Sequence, residues 1–369
     1  MLINASDMRV APRALLFDPE LYVFDFDPKR NMTRFLIVTE EHLDQAPFID
    51  IRFEPLAKGS FSVPSAGLVA LENLHREQRP RTAFIFHHAF VCSTLLARCL
   101  GQSTAFFSLK EPWILRRLAD VKRDPRLKIP DREWKPLLLT HLALLARNYR
   151  SGKAPVIKAT NVANNLIADI LRLLPDHRKL YLYSDLESFL VSNLKKPEDT
   201  RRKMPELAKS FIREEDFAQR FPQFCDIGQL TFLQVCALVR AASLYNFQVD
   251  AGKYQSLNVR TLDMDVLLAR PADTVRALSK FFGHEPEAEE LAAMVGPGVM
   301  ESNAKEPQLG YSAETRRLEA ERIAASNRAE IDFALAWAEP LERKLGLPEG
   351  MQSRQLVLDE PHDQAPATS

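Results

Sequence analysis

The sequence predicts an α/β fold of three layers, a central parallel sheet between two layers of helices, with a smaller α/β element ahead of it. Two patterns carry that expectation. From residue 82 onward, short apolar runs of strand length alternate with longer runs whose apolar residues recur at helical spacing, the order of repeated βα units. The short runs are also apolar almost throughout, as strands covered by helices on both faces are.

Taken in order, "RFLIV" (34–38) reads as a strand, and Thr39 caps a short helix through "EEHLDQA". "FIDIRFEP" (48–55) alternates apolar and polar residues like a second strand, and "LENLHREQRPR" (71–81) reads as a polar connection. The main run then opens with the strand "TAFIF" and a helix in which Leu95, Leu96, Cys99 and Leu100 share one face. "WKPLLLTHLALLARNY" (134–149) is helical. "APVIK" (154–158) and "KLYLYS" (179–184) are strands, each followed by a helix, "NNLIADILRLLP" and "LESFLVSNLKK". A long helix at 231–249 leads to a strand at "LNVR" (257–260). A further helix starts at Pro271 and stops before Gly283. The stretch from Glu314 to Leu347 is mainly helical. Three parts follow: an N-terminal α/β element at 1–80, a main domain at 81–346, and a polar tail at 347–369 that is expected to be disordered.

Composition narrows the function. Lysine plus arginine equals aspartate plus glutamate at 49 each, which argues against a dedicated nucleic-acid binder. Cys92, Cys99, Cys225 and Cys236 form no C-x-x-C pair, so neither a zinc knuckle nor a disulfide framework is indicated. The start lacks the apolar core of a signal peptide, and no apolar run is of membrane-spanning length. A soluble cytoplasmic protein is the expectation.

The stretch "FIFHHAFVCSTLLARCL" (84–100) passes from strand to helix through a turn that ends in Ser93 and Thr94. Unpaired N–H groups and the positive end of the dipole make such a helix start a ready anion site. Two readings stand for the turn itself: Ser93 as a plain helix cap, or Ser93 and Thr94 as hydroxyl donors to an anion. The turn has neither the glycines nor the lysine of a nucleoside-triphosphate loop. "CSTLLAR" spells the C-x5-R of a cysteine phosphatase from Cys92 to Arg98, but Leu95 and Leu96 are committed to a core-facing helix.

This turn resembles the 5′-phosphosulfate loop of the sulfotransferase family, where a basic residue, Ser, Gly and two hydroxyl residues lead into the helix. Phe90, Val91, Cys92, Ser93 and Thr94 stand at those positions, so the hydroxyl pair is kept while the basic residue and the glycine are not. The stretch 156–196 is similar to the family's second signature: Lys158, Pro175, Lys179, Asp185 and Ser192 match, with Ser184 at the arginine position and Leu186 at the proline position. Residues 259–286 look like the family's later stretch, and "ESNAKEPQLGYS" (301–312) like the late basic loop of bacterial members. The resemblance spans about residues 82 to 320.

What the resemblance implies is a P-loop NTPase-like sulfotransferase fold of bacterial type. The donor would be 3′-phosphoadenosine 5′-phosphosulfate and the acceptor the hydroxyl or amine of a small molecule or glycan, with no metal. Lys158 is then the candidate to stand beside the phosphosulfate, against the alternative of a lysine snorkelling from a strand end. Glu111 is the candidate general base, against a first-turn helix carboxylate. His87 and His88 end the first strand of the main run and should face opposite ways; one is a candidate base or phosphosulfate ligand. Phe90, Val91, Cys92, Ser93 and Thr94 would line the donor, Ser184 and Ser192 would lie at its 3′-phosphate, and Lys305 would close over it. Lys195, Lys196, Arg201 and Arg202 are open to either of two roles, replacing the missing arginine or forming a solvated charged loop. The rival to an active enzyme is a non-catalytic member that binds a nucleotide or a protein.

Overall fold

The computed structural model describes residues 12–73, 81–149, 151–254, 258–301, 313–347 and 349–358. Its centre is a five-stranded sheet. The strands are β4 (Ala83–His87), β5 (Phe106–Lys110), β6 (Ala154–Lys158), β7 (Lys179–Tyr183) and β8 (Val259–Asp263), in the spatial order β5-β6-β4-β7-β8. Every neighbouring pair is parallel, as repeated βα units require. The side chains alternate between two cores, one on each face. Phe84, Phe86, Phe107, Ile157, Tyr181 and Tyr183 enter one; Ile85, Phe106, Val156, Leu180, Leu182 and Leu262 enter the other. That division is why these strands read as unbroken apolar runs. Leu95, Leu96, Cys99 and Leu100 of the Ser93–Gly101 helix all pack in the second core.

After β4 the chain moves to one side of it for β5 and β6, then to the other for β7 and β8. The carboxyl ends of the strands on either side of that reversal frame a crevice where open α/β sheets bind ligands.

Ahead of this sheet, β1 (Leu21–Asp27), β2 (Met32–Ile37) and β3 (Gly59–Pro64) form an antiparallel sheet in sequence order. Thr39 accepts the His42 N–H and caps the Glu40–Gln45 helix as the sequence indicates. The strand expected at 48–55 is instead a turn and a short 3-10 helix. Asp50 accepts the backbone N–H of Arg52 and folds the chain back, and the apparent alternation fails at Ile51, which is 57 % exposed. The real neighbour of β2 is β3. Tyr22, Phe24, Phe35 and Leu36 share one continuous core with Ile114, Leu118 and Leu138 of the main run. Buried Arg147 ties the two parts together by donating to the carbonyls of Leu15, Asp18 and Leu21.

The connection expected at 71–81 begins inside the Ser65–Asn73 helix, and residues 74–80 lie outside the described residues. The disordered tail is corrected as far as residue 358. Met351 and Leu356 are buried; at the edge of β8 the Leu356 N–H donates to the Thr261 carbonyl, and the Thr261 N–H donates to the Arg354 carbonyl. An uncovered parallel edge exposes unpaired backbone groups, and this segment covers part of it. Among the described residues, no helix is long and apolar enough to cross a membrane.

Candidate functional site: a cationic cleft at the strand ends

A cavity of about 620 Å³ opens at the carboxyl ends of β4, β5 and β6. The three strands deliver one side chain each: His87 is the last residue of β4, Lys158 the last of β6, and Glu111 follows the last residue of β5. Adjacent parallel strands at matched register bring these ends together, with Lys110 of β5 opposite Lys158 of β6. Glu111 is fixed further by its own N–H, which donates to the Lys158 carbonyl at 2.8 Å.

Lys158 is 1 % exposed and so does not snorkel to the surface. Its ammonium pairs with the Glu111 carboxylate, lies 3.4 Å from the Thr94 hydroxyl, and sits 5.6 Å from the Phe48 ring centre. A buried charge is tolerated only with such partners. Glu111 is not a first-turn helix carboxylate either. The Trp113–Arg123 helix begins two residues later, and Glu111 itself has a left-handed backbone, φ 57°.

The turn from Ala89 to Cys92 carries two more left-handed residues, Phe90 at φ 62° and Cys92 at φ 56°. Among the described residues five non-glycine positions have positive φ, and three of them line this one cavity. Such backbone costs about 1–3 kcal/mol per residue and gathers at functional sites. Cys92 thus holds a conformation that glycine favours.

The helix cap position is Cys92, not Ser93, and Cys92 supplies no side-chain cap bond. Leu96 makes the first intrahelical bond, to the Cys92 carbonyl, which leaves the N–H groups of Ser93, Thr94 and Leu95 without an intrahelical partner at the cavity wall. The plain capping reading of Ser93 is therefore replaced. The phosphatase reading fails on the same geometry. Burial pushes the Cys92 thiol up from its ordinary range, the opposite of the lowered pKa that a thiolate nucleophile uses. Arg98 reaches the Gly298 carbonyl and does not line the cavity.

Two clusters from other elements complete the walls. At the end of the Leu186–Leu194 helix, Ser192, Lys195 and Lys196 face the cavity, together with Arg316 and Glu319 of the Ala313–Ser326 helix. Lys196 lies 4.5 Å from the Phe90 ring centre, so a cation is seated over the apolar side chain of the turn. Lys195 pairs with Glu319 at 3.1 Å. From the N-terminal part come Phe48 and Arg52, with the guanidinium 4.3 Å from the Phe48 ring centre. Counting lining side chains, Arg52, Lys158, Lys195, Lys196 and Arg316 face two carboxylates, Glu111 and Glu319. Positive charge dominates.

Of the site residues expected from sequence, Glu111, Lys158, His87, Phe90, Val91, Cys92, Ser93, Thr94 and Ser192 line this cavity, and so do Lys195 and Lys196. Both His87 ring nitrogens face carbonyl oxygens, of His88 at 2.7 Å and Ala159 at 3.0 Å. His88 and Ser184 are not in the cavity. His88 packs against Phe189 of the Leu186–Leu194 helix, and its Nε2 accepts the Ser184 N–H. Burial and nearby Arg240 hold it well below the usual histidine range, so it is neutral. The Ser184 carbonyl accepts from the buried Arg240 guanidinium, which pairs with Glu342. The position read as a lost arginine is thus enclosed behind the site. Arg201 and Arg202 line a separate hollow near Phe232, and Lys305 lies outside the described residues. Sequence reasoning missed Phe48, Arg52, Asn161, Arg316 and Glu319. All five come from segments whose place beside the turn is set by packing.

No family model matches the chain, and no curated protein matches it. Among solved structures, its fold is similar to a sulfotransferase domain from the curacin biosynthetic pathway. That match has 15% identity and a TM-score of 0.41, covering 67% of this chain and 97% of that one. It is also similar to a sulfotransferase from Mycobacterium tuberculosis H37Rv, with 14% identity, a TM-score of 0.38 and coverage of 71% and 80%. A sulfotransferase from Alicyclobacillus acidocaldarius is a third, at 14% identity and a TM-score of 0.35, covering 71% and 95%. The likeness is one of fold, and the cleft's own geometry carries the functional reading.

Proposed function

We propose that the protein is a sulfotransferase that moves a sulfuryl group from 3′-phosphoadenosine 5′-phosphosulfate to a hydroxyl or amine. One observation carries this reading: an uncapped helix start, the buried Lys158 and the Glu111 carboxylate converge in a single cation-rich cleft. The cleft fits such a donor on two counts. The free N–H groups at Ser93, Thr94 and Leu95 suit a phosphosulfate, and Lys195, Lys196 and Arg316 supply a second cationic patch for a second phosphate.

The donor supplies the sulfuryl group: the acceptor oxygen or nitrogen bonds to sulfur as the bond from sulfur to the phosphate oxygen breaks and that oxygen keeps the electron pair. Lys158 stabilises negative charge at the transferring and leaving groups, as a preorganised cation in a closed site does. Thr94 and the backbone N–H groups beside it add hydrogen bonds without reorganising. Glu111 takes the acceptor's proton, and its pairing with Lys158 aims its carboxylate at the point of attack. The products are a sulfate ester, or a sulfamate from an amine, and adenosine 3′,5′-bisphosphate.

The test is calorimetric titration with adenosine 3′,5′-bisphosphate, followed by an acceptor screen with the phosphosulfate donor. Micromolar binding with turnover is expected; no binding at millimolar ligand would sink the proposal. Binding with no transfer to any acceptor would support the non-catalytic reading, which the apolar Phe90 at the loop's basic position favours.

A further inference from the structure

Resting on the sulfotransferase reading, we propose that the acceptor is acidic and that its carboxylate or phosphate is bound by Arg52. The N-terminal part of the chain then does more than complete the fold: it selects the substrate.

The segment carrying Arg52 is fastened on both sides of Glu111. Ile49 donates to the carbonyl of Lys110 at 2.7 Å and accepts from the N–H of Trp113 at 2.9 Å. Phe48 and Arg52 therefore stand beside the candidate base by virtue of main-chain bonds. The guanidinium is held in one orientation. Its Nε and Nη2 donate to the Asp50 carboxylate at 2.9 and 2.6 Å, and its face lies on Phe48. A guanidinium offers two forked edges. Asp50 takes the edge shared by Nε and Nη2, and among the described residues nothing hydrogen-bonds Nη1. The end-on fork of Nη1 and Nη2 matches a carboxylate or phosphate, and the side chain is 63 % exposed at the cavity wall.

This arginine belongs to the acceptor end. Lys196 sits over Phe90 of the donor turn, with Lys195 and Arg316 on the same wall, whereas the segment of Arg52 is bonded on both sides of Glu111. Arg52 and Lys158 both approach the Phe48 ring, and the two ring distances limit the separation of the cationic centres to at most about 10 Å. The acid and the nucleophile of the acceptor are accordingly carried on one small molecule, within the span those two cations set. Such a pair is met by a compact hydroxy acid, amino acid or phosphorylated alcohol.

The experiment compares transfer to para-hydroxybenzoate, para-hydroxyphenyl phosphate and the neutral para-hydroxybenzamide, with omega-hydroxyhexanoate and its amide as aliphatic counterparts. Wild type, Arg52→Gln and Arg52→Lys are assayed, and adenosine 3′,5′-bisphosphate binding is measured for each. The expected result is that kcat/KM favours an acid over its amide by about tenfold or more. That ratio collapses in Arg52→Gln and is only partly kept in Arg52→Lys, while the bisphosphate still binds. Carboxylate and phosphate arms tell which acid is preferred. Equal use of acid and amide, a ratio unchanged in Arg52→Gln, or weakened bisphosphate binding in that variant each overturns the assignment. If the bisphosphate binds and none of these acceptors turns over, titration of para-hydroxybenzoate into the bisphosphate complex decides, and no Arg52-dependent binding overturns it. Absence of bisphosphate binding in wild type fails the donor reading itself.

Discussion

Lys158 and Glu111 meet as an ion pair across the ends of two adjacent parallel strands, with the lysine almost wholly buried and the carboxylate facing the cavity. The pair places the cleft's deepest positive charge and its candidate base in direct contact. Each orients the other, and their roles separate by substitution.

If the cleft binds the donor as proposed, Lys158→Ala removes a charge-assisted contact to it, worth about 1.5–3 kcal/mol. Calorimetry should show adenosine 3′,5′-bisphosphate binding weakened by about tenfold or more. The melting temperature should also fall, because the partly buried Glu111 loses its counter-charge. Unchanged affinity would remove Lys158 from the donor site.

Glu111→Gln keeps the shape of the side chain and removes the proton acceptor. The turnover number should drop by about 10²–10⁴-fold, while bisphosphate affinity is held or improves as the competing carboxylate disappears. A drop in affinity with turnover preserved would reverse the assignment.

The loop geometry gives a test of conformational strain. Cys92 adopts φ 56°, which glycine takes freely and β-branched residues resist. Cys92→Gly should fold at least as readily as wild type by thermal melting. Cys92→Val should cost about 1–3 kcal/mol and weaken bisphosphate binding together with stability. Equal stability of the two variants would show that the turn relaxes.

These variants bear on how much the sequence discloses. β6 and β7 and the helix after β4 were legible because their residues are buried in runs of a single character, and such runs have few other uses. Lys158 was legible because it closes a buried apolar strand, and Glu111 only through the family resemblance. Their contact was not, because it depends on β5, and "FFSLK" is five residues that sequence alone does not separate from the helix ahead of it. The N-terminal wall was misread for a local reason. "FIDIRF" alternates like a strand, but Asp50 captures the Arg52 backbone and side chain and turns the segment. β1 was passed over where Asp25 interrupts its apolar run, at an irregularity in the β1–β2 register; Asp25 is spent on Arg117 of the main sheet's helix layer. Local patterns were readable, and juxtapositions made by long-range packing were not.

Lys195 and Glu319 form an ion pair inside the cleft that an anionic ligand would have to compete with. The 3.1 Å ion pair joins two helices at the patch read as a phosphate anchor, and a bound phosphate must share or displace that carboxylate. Glu319→Gln should therefore tighten bisphosphate binding severalfold, and Lys195→Ala should weaken it by about tenfold. Both shifts should shrink as salt is raised. A weaker complex in Glu319→Gln would mean that Glu319 positions Lys195 for the ligand.

Acid stability turns on His141, which joins the two parts of the chain. Its Nδ1 donates to the Leu137 carbonyl, and its Nε2 accepts from Thr33, whose hydroxyl also contacts Ser65 in the N-terminal part. Burial pushes its pKa down to about 4. In the unfolded chain the ring titrates near 6.5, so between those values the unfolded state binds the additional proton. The stabilisation is fully present above about pH 6.5 and is lost as pH falls toward 4. His177, pushed down to about 4 chiefly by burial, has the same sign. Protonated His141 can no longer accept from Thr33, so acidification should loosen the N-terminal part from the Asp131–Leu145 helix first. Denaturant melts across pH 4–7 should show stability rising with pH, and His141→Gln should flatten that slope while lowering stability at pH 7. A slope unchanged in the variant would assign the acid sensitivity to other buried groups.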